Sequence, residues 1–223
     1  MLTIDSDIYH SDQILALLQT NAHSLKFRQT RLCKAQKVMN QGDNIDDVLF
    51  IIQGTISLSR TSKSGRRYQL GSFKHNGFLG LMELFSGKPC FYSVTADSEC
   101  QAYILDGKAF HNLVCHNPHL AAHTFKHLTS KWYLSVERMT RNILHSITYC
   151  VADDLLNFIA QNPNQAYVIN KSLECERLGT SLRVYNRILK QLELRGAIKV
   201  QRKQIDILNS EVLVQVLNEE ADK

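Results

Sequence analysis

Nowhere in this 223-residue sequence does an apolar run approach the roughly 20 residues that cross a bilayer. The opening stretch, MLTIDSDIYHSD, is acidic and polar, unlike a signal peptide. The six cysteines, Cys33, Cys90, Cys100, Cys115, Cys150 and Cys175, include no CxxC pair, and no Cys/His set has zinc-ligand spacing. These absences argue against a membrane protein, a disulfide scaffold and a zinc domain. They lead to the expectation of a cytoplasmic chain in a reducing setting, without a membrane partner. The cysteines are then read as small buried residues, with redox sensing as the lesser alternative. There is no Gly-rich phosphate loop, no nucleophile elbow and no triad, so neither an enzyme nor a cofactor is expected.

What is present divides the chain in three. With 44% hydrophobic and 21% charged residues it can bury a real core. Eight of the ten glycines lie at or before position 107, and only Gly179 and Gly196 follow. In that glycine-rich part, Val48–Ile52 is a β-rich run ending at Gly54, and Thr55–Ser59 alternates with period two. Ser64-Gly65 marks a turn before Tyr68–Leu70, and Phe91–Ala96 and Gln101–Leu105 are further strands. Many short strands between frequent turns predict a barrel or jelly roll.

Pro118 opens a different region, at a helix start where its missing N–H matters little. From there to Ile147 there is neither glycine nor further proline. Phe125, Leu128, Trp132, Val136, Met139, Ile143 and Ile147 recur at steps of three and four. This stripe predicts a helix of about 30 residues, ~45 Å long. One small domain does not easily cover such a stripe, so the expectation is a homodimer through a second copy of the helix.

Beyond it, Asp153–Gln161 reads as a short helix ended by Asn162-Pro163-Asn164. The segment from Lys171 to Leu192 reads as helix, tight turn at Gly179, and helix, with Thr180 or Ser181 as cap. On the second helix, Tyr185, Ile188, Leu189 and Leu192 share one face, while Arg183, Asn186, Arg187 and Lys190 share the opposite one. Arginine can grip guanine O6/N7, and asparagine can pair with adenine N6/N7. The competing reading is a solvated charged face. Charge counting favours DNA. Residues 171–203 hold nine basic side chains against three acids, a balance of +6, whereas the whole chain carries +5. Lys171, Arg177, Thr180, Ser181, Arg183, Asn186, Arg187, Lys190, Arg202 and Lys203 are the candidate DNA-binding residues. Ile198–Val200 and Ile205–Leu208, joined across Arg202-Lys203-Gln204, predict a basic wing.

Over nearly its full length the chain resembles the Crp/Fnr family of regulators. Asn40-Gln41-Gly42-Asp43 is similar to the family's glycine turn, Ile52–Ile56 to its "V-x-G-x-V" strand, and Gly77–Phe85 to "G-D-F-I-G-E-L-G-L-F". Leu178–Ile198 resembles "G-x-S-R-E-T-V-x-R-I-L-x-x-L-x-x-x-G-L-I". The resemblance implies an α+β chain. A cyclic-nucleotide-binding-type β-roll spans residues 1–117, a dimerisation helix 118–147 and a winged helix-turn-helix 148–223. It further implies a transcription regulator acting as a homodimer on palindromic double-stranded DNA, with RNA polymerase as a partner.

Departures from the family bear on control. In cyclic-AMP binders a glutamate directly after the Gly80 equivalent holds the ribose hydroxyl, and an Arg-Ser pair binds the phosphate. Here the first position is Leu81 and the best match to the pair is Cys90-Phe91. Neither offers the needed acceptor or cation, so the candidate ligand pocket at Gly80, Leu81, Cys90 and Phe91 is not expected to take cyclic AMP in the usual way. The alternative is a β-roll signalling protein responding to another small ligand or to redox state. Nothing clusters with Cys33 to hold an iron–sulfur centre. His116, His119, His123 and His127 are read as exposed helix residues rather than a haem or metal site. Family members often carry glutamate at the position of Arg183, so this chain is expected to read an operator unlike the common consensus.

Overall fold

The computed structural model describes residues 5–20, 25–74, 77–163 and 165–221. The chain divides into two compact units, the first ending at Tyr133 and the second beginning at Leu134.

In the first unit, helix α1 (Asp5–Thr20) precedes eight strands: β1 (Phe27–Leu32), β2 (Lys37–Met39), β3 (Asp47–Gln53), β4 (Thr55–Thr61), β5 (Arg67–Lys74), β6 (Gly77–Leu79), β7 (Ser93–Ala96) and β8 (Cys100–Asp106). All pairings are antiparallel, and they build two four-stranded sheets with the orders β1-β8-β3-β6 and β2-β7-β4-β5. The short helix α2 (Leu81–Ser86) lies between β6 and β7, and α3 (Gly107–His116) follows β8. This is the expected β-roll.

The unbroken apolar run of β3 has a simple cause: both faces of its sheet are covered. Val48 and Phe50 join Ile14 and Leu18 of α1 and Phe110 and Val114 of α3 in one core. Ile51 points the other way, into a second core between the sheets with Ile56, Val94, Ala96 and Ala102. Gly54 alone links β3 to β4. Its φ of 131° is foreign to other residues, and a β-carbon there would fall on the Cys100 sulfur.

Helix α4 (Pro118–Leu144) begins at Pro118, with Asn117 Oδ1 accepting a hydrogen bond of 3.1 Å from Leu120 N. Its 27 residues give a length of ~40 Å. The apolar stripe carries on to Ile147, but the helix does not. Ser146 takes an extended conformation, and its Oγ accepts from Tyr149 N at 3.1 Å to start the next helix, α5 (Ile147–Gln161). That helix therefore starts at Ile147 rather than at Asp153. The side chains α4 buries are Leu120, Thr124 and His127. Leu128 packs against the same core and Val136 is half-buried. Phe125, Trp132, Met139 and Ile143 are exposed, by 56%, 64%, 41% and 80%.

Two expectations need correction here. Cys33 and Cys115 are exposed, and only the other four cysteines are buried. His127 is buried, because its track on α4 faces the core rather than solvent, and it shares a 3.3 Å hydrogen bond with Ser11 Oγ.

The second unit continues from α5 through β9 (Tyr167–Val168), α6 (Lys171–Leu178), α7 (Leu182–Leu194), β10 (Ile198–Val200), β11 (Gln204–Ile207) and α8 (Ser210–Ala221). Its three strands are ordered β10-β11-β9. Asn164, read as part of a turn, lies outside the described residues. A single core joins Leu155 of α5, Leu178 of α6, Tyr185, Leu189 and Leu192 of α7, and Ile205 of β11. Helix α8, which the sequence pattern did not announce, adds Leu213 and Val216.

Candidate nucleic-acid interface and effector cleft

The helix-turn-helix is built from ordinary local chemistry. Asn170 caps α6 by accepting from Ser172 N and Leu173 N. Gly179, at φ 64°, ends α6 in the left-handed conformation. Ser181 then caps α7, its Oγ accepting from Val184 N at 3.3 Å, so of the two candidate caps Ser181 is the one used. Thr180 sits half-buried in the turn. Helix α7 buries Tyr185, Ile188, Leu189 and Leu192 and leaves Arg183, Asn186, Arg187 and Lys190 exposed. Lys171 reaches across from α6, its Nζ donating to Asn186 Oδ1 at 2.8 Å. The β10–β11 hairpin turns at Arg202 and Lys203, both exposed, and Lys199 is exposed on β10. The solvated-face reading and the nucleic-acid reading both require exposure; what distinguishes this surface is the excess of positive charge on two adjacent elements. Among its exposed residues the acid nearest in sequence, Glu193, accepts from Val200 N at 2.9 Å.

One candidate falls out of this set. Arg177 points into the unit, where its guanidinium bonds Asp154 and, at 3.0 and 2.6 Å, Glu174. Burial opposes its charge, but Asp154 and then Glu174 outweigh that and hold the guanidinium above its usual pKa. The arginine is consumed inside the fold, so the expected DNA contact from Arg177 is withdrawn. Tyr167 donates to Glu174 Oε1 at 3.2 Å, and burial first, then Glu174, raises the phenol pKa well above its usual value.

In the first unit, a cleft of about 330 Å³ is lined by Gln41, Arg60, Glu83, Lys88, Cys90 and Phe91, among others. Arg60 stacks on the Phe91 ring at 3.9 Å and donates to the Phe91 carbonyl at 2.6 Å. Glu83 accepts from Phe91 N at 3.2 Å. Burial, then Glu83 and Asp43, raise the pKa of the Cys90 thiol above its usual value. Among the described residues no group of three or more His, Cys, Asp or Glu could hold a metal ion.

Residues 29–117 match the family model of the cyclic nucleotide-binding domain. No curated protein matches the sequence. Solved structures do match in fold. The c-di-GMP-responsive global regulator CLP of Xanthomonas campestris superposes with a TM-score of 0.72 at 15% identity, over 87% of this chain and 99% of that one. FixK2 from Bradyrhizobium japonicum gives 0.69 at 15% identity, over 86% and 97%. A transcriptional regulator of the CRP/FNR family from Thermus thermophilus gives 0.68 at 16% identity, over 86% and 100%. The chain has the Crp/Fnr fold.

Within that Crp/Fnr fold, the candidate ligand positions separate. Cys90 and Phe91 line the cleft, but Gly80 and Leu81 do not. Gly80 starts α2 in a left-handed conformation, which turns Leu81 into the helix-facing core at 3% exposure. The cations that Cys90-Phe91 lacks are supplied by Arg60 and Lys88. Glu83 is also at the cleft, because α2 winds it one turn round from Gly80. Arg60 escaped the sequence reading because it lies 31 residues from Phe91, and Glu83 because it meets Phe91 from across a helical turn. A basic residue on the strand after the Gly54 turn was the available signal.

Proposed function

We propose that this protein is a sequence-specific, DNA-binding transcription regulator and not an enzyme. The observation that carries the reading is helix α7. Its inner face buries Tyr185, Ile188, Leu189 and Leu192, its outer face presents Arg183, Asn186, Arg187 and Lys190, and the wing beside it adds Arg202 and Lys203. In this reading residues 1–117 sense, 118–147 dimerise and 148–223 bind DNA. The chain acts in the cytoplasm, with RNA polymerase as a partner; no described helix is long and apolar enough to cross a membrane.

The exposed Phe125, Trp132, Met139 and Ile143 on α4 support a homodimer, since a second copy of that helix would cover them. Two recognition helices about 34 Å apart would then read a palindrome. Trp132→Glu should turn the dimer into a monomer in sedimentation; an unchanged dimer would exclude this face.

Control by cyclic AMP in the usual manner is not part of the proposal, because Leu81 has no acceptor and is buried. The cleft favours a second reading of control: Arg60 and Lys88 suit a different anionic effector. Binding-site selection with the purified full-length protein, with and without cyclic AMP, tests both parts. A shared palindrome in both conditions is the expected result. A palindrome recovered only with cyclic AMP would overturn the reading of control, and no enriched site would overturn the DNA-binding reading.

A further inference from the structure

We propose that Asp154 pins the helix-turn-helix to the end of α4, and that it is thereby a positioning residue for base recognition; the inference rests on the DNA-binding reading above. Both oxygens of this one carboxylate are taken by arginines from different helices. Oδ1 accepts from Arg141 of α4 at 2.8 Å, and Oδ2 accepts from Arg177 of α6. Asp153 holds the same Arg141 nitrogen at 2.7 Å, and Glu174 holds Arg177 from the other side. A second tie runs parallel: Asn142 Nδ2 donates to the Arg177 carbonyl at 3.3 Å, one of the oxygens that the last turn of α6 leaves open. Tyr167 of β9 closes the set by donating to Glu174.

The five charged side chains are between 13% and 24% exposed, so they are shielded without being sealed. Ion pairs at such depth add little stability over well-packed apolar residues of the same size. They differ from apolar contacts in direction. A guanidinium is a planar fork and meets two carboxylates in one orientation, whereas leucine on leucine can slide. Helix α6 therefore has one register against α4 and α5. Gly179 follows directly, and α7 follows Gly179. Tyr185, on the inner face of α7, borders Asp154, Glu174 and Arg177. The direction in which Arg183 and Arg187 point thus depends on where the network holds α6.

The test uses the full-length protein with the double substitution Asp154→Leu and Arg177→Met, which replaces charges by apolar groups of similar size. Its readouts are the thermal midpoint, affinity for the selected operator and affinity for a random duplex of equal length. The expected result is a folded protein with random-duplex binding unchanged and operator binding weakened about tenfold or more, because base contacts and phosphate contacts respond differently to a tilted helix. Wild-type operator affinity in the folded double variant would overturn the proposal. Should the double variant fail to fold, Asp154→Asn and Asn142→Ala replace it. Loss of operator affinity with random-duplex affinity retained supports positioning, while parallel loss of both overturns it. A wild-type protein that selects no operator would remove the DNA-binding reading itself, and this inference with it.

Discussion

Helices α6 and α7 are neighbours, both rich in charge, yet they use it in opposite ways. On α6, Glu174 and Arg177 turn inward and are 15% and 19% exposed. On α7, Arg183 and Arg187 turn outward while an apolar face holds the helix down. Counted along the sequence, all of these side chains enter one basic segment. In space the segment is less basic than its count. Arg177 is neutralised inside the unit, and Arg195 is paired with Glu219 through two bonds of 2.7 and 2.8 Å. The charge left for an anionic partner is Lys171, Arg183, Arg187, Lys190, Lys199, Arg202 and Lys203. A charge count thus measures a partner's attraction only after internal pairs are removed.

That contrast can be broken most forcefully on the α6 side. Asp154→Ala takes one charged partner from each of two arginines, leaving Arg141 with Asp153 and Arg177 with Glu174, and should lower folding stability by about 3 kcal/mol in urea or thermal unfolding. A loss below about 1 kcal/mol would mean the inward charges are as dispensable as a surface pair. On α7, Leu189→Ala should lose about 2–5 kcal/mol in the same assay, since this side chain is 2% exposed. The outward charges should behave in the converse way. Arg187→Ala should leave unfolding within about 0.5 kcal/mol of the parent while weakening operator binding by about 1–3 kcal/mol. Ser181→Ala, which removes the α7 cap, should reduce stability by about 1 kcal/mol. The smallest effect belongs to Lys190→Ala, which should lower the salt slope of DNA binding by about one if it meets phosphate. Equal stability losses for Arg187 and Asp154 would erase the distinction between the two helices.

How far the sequence alone led differs between these regions for a physical reason. Helix α7 was legible because an amphipathic helix writes both of its faces into one short stretch. Strands β3 and β4 and the start of α4 were legible in the same local way. The end of α4 was not, since the apolar stripe runs through Ser146 without interruption and only the cap bond to Tyr149 reveals the break. Helix α8 escaped because its short apolar face shows only once α5 is present to receive it. Arg177 was misassigned because nothing in its own segment signals Asp154, 23 residues away. The cleft of the first unit was half legible: Cys90 and Phe91 could be aligned, but Arg60 and Glu83, which also line it, arrive from elsewhere in the β-roll.

The junction at Gly54 places two separate demands on one position, and they respond differently to change elsewhere in the chain. Crowding has two sources: a β-carbon here would fall on the Cys100 sulfur, which a smaller residue at position 100 would remove, and would lie 2.9 Å from the Cys100 Cα, which it would not. The φ of 131° is not negotiable in that way, because it belongs to the residue's own backbone. A Gly54→Ala substitution should therefore be only partly rescued by Cys100→Gly. Position 100 is itself held in the core at 2% exposure, so the strand junction joins a residue fixed by its own backbone to one fixed by its surroundings.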